Sequence, residues 1–326
     1  MNTLYPLKFN SILKDKIWGG SRLKNILNKS AASDKCGESW EISAVQGNLS
    51  IVRNGFLTGN NLQDITEVYM GDLVGDKIYE RFGIEFPLLI KFVDANDILS
   101  VQVHPDDELA RLRHNAYGKT EMWYIIQAGD NAELIAGFNR ELDRETYLRH
   151  LQSKTLKEIL NFEKVKAGDV FFTPSGRVHA VGAGILLAEI QQTSDITYRI
   201  YDWDRFDEEG NPRELHTGLA LDALDFKYYG NYRTDYETVM NLTTILADCE
   251  YFTTGLLHFN QSVEKDFHFI DSFVIYMCLE GEMDIHYSEG EPERVHTGES
   301  VLVPASLKNI SLLPNGTAKI LEVYVK

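Results

Sequence analysis

GDVFFTPSGRVH, residues 168–179, and GESVLVPASLKN, residues 298–309, share one frame: in each, five residues separate the leading glycine from the proline. A second pair lies upstream, EMWYIIQAGD (121–130) beside FVIYMCLEGE (273–282). Apolar runs ending in Gly or Pro punctuation read as short strands. Their recurrence in the same order marks an internal repeat. The spacer between the two elements is longer in the first copy, mostly through ELDRETYLRHLQSKTLKEIL (141–160). Leu148, Leu151, Leu156, Ile159 and Leu160 give that stretch an apolar face and predict helix, split in two. The chain therefore reads as two related β-modules, the first enlarged by helices.

The rest of the chain agrees. FPLLIKFVDA (86–95), ILSVQVH (98–104) and GILLAEIQQ (184–192) are further strand candidates. NLQDITEVYMGDLVG (61–75) and DDELARLRH (106–114) are helical, the second with an Asp as N-cap. Strands without regular β-α alternation predict a mainly β fold rather than a doubly wound sheet. The 326 residues suit about two domains at roughly 150 residues each. No apolar run reaches bilayer length, and the first twenty residues lack the pattern of a secretion signal. Cys36, Cys249 and Cys278 are odd in number and far apart, which predicts reduced thiols and a cytoplasmic setting. A net charge of −17 argues against nucleic acid and membrane as partners. Any anionic ligand would need a local basic cluster.

The two copies differ where chemistry could sit. In a direct overlay, Glu121 meets Phe273 and His179 meets Asn309. A residue needed only for packing should recur more often, so the asymmetry favours function for both. SVQVHPDD places Gln102 and His104 two apart, on one face of a strand. Two imidazoles, a carboxylate and an amide suit a divalent metal with room left for water or substrate. Taken singly, each residue has a plainer reading: a hydrogen-bonded histidine, a helix cap at His104, a surface or rim carboxylate at Glu121. Together they favour the metal. His114, His150, His216, His258, His268, His286 and His296 lack such a context.

Gly168-x5-Pro174-x-Gly176-x2-His179 resembles the second motif of the cupin superfamily, and QVH with the later Glu121 resembles a variant of its first. More closely, IWGGSRL (17–23), LLIKFVDANDILSVQVHPDD (88–107), GKTEMWYII (118–126) and GDVFFTPSGRVHAVGAGILLAEIQQTSDITYRIYDWDR (168–205) resemble type I mannose-6-phosphate isomerases in their short bacterial form. The resemblance implies two cupin, jelly-roll β-barrels. The first, residues 1–235, would carry the metal and a helical insert at about 139–161; the second, 236–326, would be metal-free. It implies zinc held by Gln102, His104, Glu121 and His179. It also implies catalytic roles for Arg199, Lys119 and Glu189, and substrate contacts from Ser100, Lys91 and Lys119. The reaction implied is the interconversion of mannose 6-phosphate and fructose 6-phosphate through a cis-enediol. The partner would be a small sugar phosphate, and the chain a monomer or weak homodimer. Thr120 departs from the longer members, which carry proline there.

Within that resemblance, the proton shuttle is open between Glu189, Lys119 and a metal-bound water. Lys91, Lys119, Arg199 and Arg177 are the candidates for a positive pocket. Three rival readings stand beside this one: an Fe(II) oxygenase, since two histidines and a carboxylate also hold iron; a non-catalytic sugar-binding bicupin; and an isomerase of a different aldose.

Overall fold

A computed structural model describes residues 3–30, 33–206, 210–288 and 290–326. It is mainly β, in four antiparallel sheets that form two facing pairs. In the first pair, a six-stranded sheet runs in the order Ile12–Gly20, Cys36–Ile42, Leu88–Ala95, Ile185–Gln192, Glu121–Ala128, Val170–Thr173. It faces a five-stranded sheet ordered Tyr198–Tyr201, Val101–Val103, His179–Ala180, Glu133–Phe138, Leu160–Lys164. Trp18, Val93, Trp123, Ile125, Leu134, Ala136, Phe171 and Leu187 pack between them. In the second pair, a six-stranded and a four-stranded sheet enclose Leu257, Val274, Tyr276, Met283, Ile285, Val301 and Leu312. The sheets are open sheets set face to face, not closed barrels.

The two six-stranded sheets also pack against each other. Ile90, Phe92, Met122, Tyr124, Leu186 and Ile190 from one share a core with Ile275, Met277, Leu302, Leu321 and Val323 from the other. The central strands of the first sheet are therefore covered on both faces. This explains why Leu88–Ala95 and Ile185–Gln192 are largely apolar on both faces rather than alternating: every residue in both is buried. The strand Leu7–Lys8 joins the second half by pairing with Ser300–Val303.

Strand pairing corrects the overlay of the two copies. Glu121 lies opposite Thr173, and Trp123 opposite Phe171. In the second half Val274 lies opposite Val303, and Tyr276 opposite Val301. Matching Phe171 to Val301 makes Val274, not Phe273, the counterpart of Glu121. Phe273 faces the other way, into the core between the halves, its ring centroid 4.4 Å from that of Phe86 at a tilt of 36°. A slip of one residue turns a strand side chain to the opposite face. The conclusion about chemistry survives the slip, because Val274 is also apolar and buried.

Helices follow their caps. Asn61 caps Leu62–Val74, and Asp106 caps Asp107–His114 by accepting from Leu109 N at 2.8 Å. The stretch 141–160 holds one helix, Arg144–Gln152, capped by Asp143, then a single 3-10 turn at Leu156–Glu158. Leu160 already belongs to a strand, so the second expected helix is only that turn. Asp76–Phe82 is a helix that the patterning missed. All three cysteines are free, Cys36 and Cys278 buried and Cys249 partly so. Among the described residues no helix is long and apolar enough to cross a membrane.

Candidate metal centre and substrate cavity

Register builds the site from two facing rows. On the six-stranded sheet, Trp40, Lys91, Glu189 and Trp123 are successive cross-strand partners, with Glu121 one pair further along and two residues from Trp123. On the five-stranded sheet, Arg199, Gln102 and His179 form the matching row. Directly opposed residues share a face, so both rows look into the gap between the sheets.

There His104, Glu121 and His179 converge, with one possible ligand atom from each lying within 4.8 Å of the other two. All three are at most 1% exposed. Glu121 is thus an interior carboxylate, not one at a rim. Each imidazole is oriented from behind. His104 Nδ1 donates to Ile196 O at 2.8 Å, and His179 Nδ1 donates to Arg177 O at 2.9 Å. These bonds fix the tautomers and leave both Nε2 lone pairs in the gap, the second-shell arrangement of metal-ligating histidines. The rings stand 4.8 Å apart. Burial, then the Lys119 ammonium and the His179 ring, hold His104 well below its ordinary pKa. Burial takes His179 down to about 3. Both are neutral at physiological pH, as a ligand must be.

Glu121 Oε1 is 3.3 Å from His179 Nε2, and Oε2 is 3.5 Å from His104 Nε2. Lys119 Nζ comes within 2.9 Å of that Oε2 without hydrogen-bond alignment, so Oε2 remains a buried acceptor lacking a hydrogen bond. An orphaned carboxylate oxygen among two neutral imidazoles fits a borderline divalent cation such as Zn2+. Gln102 stands beside them, its Nε2 donating to His179 Nε2 at 3.2 Å. A half-turn of that amide would offer its oxygen instead.

Gln102 and Lys119, which touch this cluster, also line a cavity of about 380 Å3. Lys14, Lys16, Lys91, Lys119, Arg199 and Arg213 line it, against Glu38, Glu189 and Asp195. Cations outnumber carboxylates there in a chain of net charge −17. Lys91 Nζ is 3.3 Å from Glu189 Oε1, and Lys119 Nζ is 3.6 Å from the same atom. Burial would lower the Lys119 pKa, but Glu121 and Glu189 outweigh it and hold it above its ordinary value. Burial and the neighbouring Arg213 push Arg199 down. Ser100 is buried on the cavity wall.

Every expected site residue therefore falls at this place: Gln102, His104, Glu121 and His179 around the gap, and Lys91, Ser100, Lys119, Glu189 and Arg199 around the cavity. Arg177 does not. Its Nη1 donates to Phe172 O at 2.6 Å, and its guanidinium stacks 4.9 Å from Tyr229 and 5.1 Å from Tyr232. Lys14, Lys16, Glu38, Trp40 and Arg213 were not anticipated. Nor was His216, whose Nδ1 accepts from Arg199 N at 3.1 Å. Arg199 Nη1 donates to Glu214 O at 2.8 Å, and its buried Nε has no hydrogen bond.

Facing β-sheets around a buried His-Glu-His cluster place the chain among cupins, and residues 241–325 match the family model described as mannose-6-phosphate isomerase, cupin domain. Residues 6–131 match that of the phosphomannose isomerase type I catalytic domain. A mannose-6-phosphate isomerase of Bacillus subtilis is 39% identical over 86% of this chain and 87% of its own. One from Streptococcus mutans is 34% identical over 93% of this chain and 94% of its own. The crystal structure of the mannose 6-phosphate isomerase from Bacillus subtilis superposes with a TM-score of 0.89 at 32% identity, covering 99% of this chain and 100% of that one. The chain belongs to the type I mannose-6-phosphate isomerase family and is an isomerase.

Proposed function

We propose that the chain interconverts mannose 6-phosphate and fructose 6-phosphate through a cis-enediol, with Zn2+ held by His104, Glu121, His179 and Gln102. The observation that carries this reading is the neutral His-Glu-His cluster set beside a cationic cavity, with Gln102 and Lys119 shared between them, in an acidic protein. The metal, when bound, supplies Lewis acidity for the oxygens at C1 and C2.

The residues divide the remaining work. Isomerisation removes a proton from C2 of the aldose and delivers one to C1, while a proton leaves the C2 hydroxyl and one reaches the C1 oxygen. Glu189, on the cavity wall between two ammonium groups, is assigned the carbon-to-carbon shuttle. Lys119 stays protonated beside Glu121 and Glu189, so its part is to stabilise negative charge on the enediolate oxygens. Arg199 faces the same region and does likewise. Ser100 orients a sugar hydroxyl. Lys14 and Lys16 share a strand face by their spacing of two. With Lys91 and Arg213 they give the phosphate a cationic end to the cavity. Lys14 Nζ sits 4.1 Å from the Trp40 ring, and Lys91 Nζ 5.2 Å, so the tryptophan keeps the two ammonium groups in one region.

In this reading residues 1–235 are the catalytic cupin module, with its helical insert at about 139–161, and 236–326 a metal-free one, in a protein that works in the cytoplasm. The test is conversion of mannose 6-phosphate by purified protein, before and after chelation and with zinc restored. Activity lost to the chelator and regained with zinc is expected. Zinc-loaded protein that left mannose 6-phosphate unchanged while converting another aldose would overturn the substrate assignment.

A further inference from the structure

Among the described residues, none from the C-terminal half lines the cavity. That half nevertheless reaches the site by another route. The turn joining Thr243–Asp248 to Thr253–Phe259 is closed by Cys249 N donating to Phe252 O at 3.0 Å, and it carries Tyr251. The Tyr251 hydroxyl donates to Asp107 Oδ2 at 2.9 Å. The other carboxylate oxygen, Oδ1, accepts from Gly118 N at 2.8 Å and from Gln192 Nε2 at 3.0 Å. Gln192 Oε1 in turn accepts from Thr120 N at 2.8 Å, and Gln192 N donates to Thr120 O at 3.1 Å. Thr120 is the residue between Lys119 and Glu121. Its main-chain donor and acceptor are both held by one glutamine.

We propose that Tyr251, Asp107 and Gln192 form a positioning relay by which the C-terminal half sets the aim of Lys119 and Glu121. The proposal rests on the function assigned above. Its logic is donor and acceptor count. A glutamine amide can face either way, and only the orientation with Oε1 toward Thr120 N makes that bond. An ionised carboxylate accepts only, so Asp107 forces Nε2 toward itself and Oε1 toward Thr120. Tyr251, donating to Oδ2, leaves Oδ1 to Gly118 and Gln192. Gly118 lets the loop before Lys119 close on the start of the Asp107–His114 helix: a Cβ there would lie 2.6 Å from Asp106 C and Asp107 N. The relay gives the metal-free half a part in the chemistry without contributing a ligand.

Tyr251→Phe removes one hydroxyl. Loss of one hydrogen bond of ordinary strength should lower kcat for mannose 6-phosphate by about three- to ten-fold, with KM changed by less than about two-fold. Amide exchange read by mass spectrometry should quicken in the peptide spanning residues 118–121 and stay unchanged in the other strands of the catalytic sheet. Asp107→Asn, which frees the Gln192 amide to turn, should lose more. The double variant should be no worse than Asp107→Asn alone, as members of one chain require. Glu250→Gln, on the same turn but directed to Arg81 at 3.3 Å, should behave as wild type. The relay is refuted if Tyr251→Phe keeps wild-type kcat and wild-type exchange at 118–121, or shows only a lower melting temperature. It is also refuted if the two substitutions add. Should the wild type leave mannose 6-phosphate unconverted, the functional reading falls, and the exchange measurement still decides the relay.

Discussion

Replacing Glu299 by Gln should loosen the two halves from each other in a way that acid erases. Glu299 follows Gly298, at the start of the repeated motif in the second module. Its carboxylate takes Lys8 Nζ at 2.9 Å, the Arg53 guanidinium, and His296 N at 2.9 Å. Lys8 and Arg53 come from the first 60 residues, so the cluster ties the chain's beginning to its last sheet. Burial alone would raise the Glu299 pKa, but the His296 amide, Lys8 and Arg53 win and take it from 4.5 down to about 2. That difference corresponds to about 3 kcal/mol of stability. The side chain is 21% exposed, so screening trims the figure only in part. The folded-state pKa is depressed, hence the contribution is full above pH 4.5 and fades as pH falls toward 2. For a chain of 326 residues, about 3 kcal/mol is worth about 4 °C in melting temperature. The assay is paired thermal melts of wild type and Glu299→Gln at pH 7 and at stepped pH below 4.5. A gap of about 4 °C at pH 7 that narrows steadily in acid is expected. A gap that is absent at pH 7, or that persists unchanged at the lowest pH at which both still fold, would refute the assignment of that stability to the ion cluster.

Further outcomes follow from the site. His179→Ala should lose zinc and turnover together, checked by metal analysis of the purified variant beside its rate. Arg199→Ala should keep zinc and lose roughly 10²- to 10³-fold in kcat, the range for removing a donor aimed at developing charge; full activity would end its assigned role. Lys14→Ala combined with Lys16→Ala should raise KM for the phosphorylated sugar by about ten-fold or more and spare kcat within a few-fold, since these groups act on a remote phosphate. Added salt should narrow that difference, and a fall in kcat at unchanged KM would place the two lysines elsewhere in the mechanism.

How much of this was legible depended on whether the chemistry lay inside a motif. Glu121 and His179 are polar interruptions in apolar strands, and their absence from the second copy made them stand out, while His104 was picked out by its spacing of two from Gln102. The helix capped by Asp106 announced itself through short-range chemistry, and the one that begins at Leu62 through its pattern, its Asn61 cap emerging only in the structure. The far wall of the cavity did not. Lys14 with Lys16, and Glu38 with Trp40, carry the period of two that marks a shared strand face, yet a lysine pair at that spacing ordinarily reads as a solvated edge. Only the pairing of Cys36–Ile42 with Leu88–Ala95 turns them inward over the site. Arg213 and His216 lie past the strands, and nothing local ties them to Arg199. Arg177 misled for the opposite reason. It stands two residues from His179 in the motif, but Tyr229 and Tyr232 from a later segment draw its guanidinium away. The one-residue slip between Phe273 and Val274 has a similar root: glycine and proline fix the ends of a repeat, while the face of each residue is set by the partner strand.

That slip also bears on the equivalent place in the second module, where the described residues bring together no cluster suited to a metal. A carboxylate buried as deeply as Glu121 is tolerable only while opposite charge and polar partners surround it, since a lone buried ion costs several kcal/mol. Lys119 and the two neutral imidazoles meet that condition in the first module. At the equivalent place in the second, Val274 packs into the core with Tyr276, Val301 and Val303. Asn309, the counterpart of His179, is exposed and lies opposite Asp266, which engages His268 at 2.6 Å instead. Once one member of such a set is gone, the others lose the interactions that made their burial tolerable. A carboxylate without imidazoles, or an imidazole without its carboxylate, is then a liability that an apolar residue relieves. The ligands are therefore expected to be kept together or lost together, and the second module shows the second outcome at each of these positions. What it retains is the strand frame, and through Tyr251 a hydrogen bond toward the site.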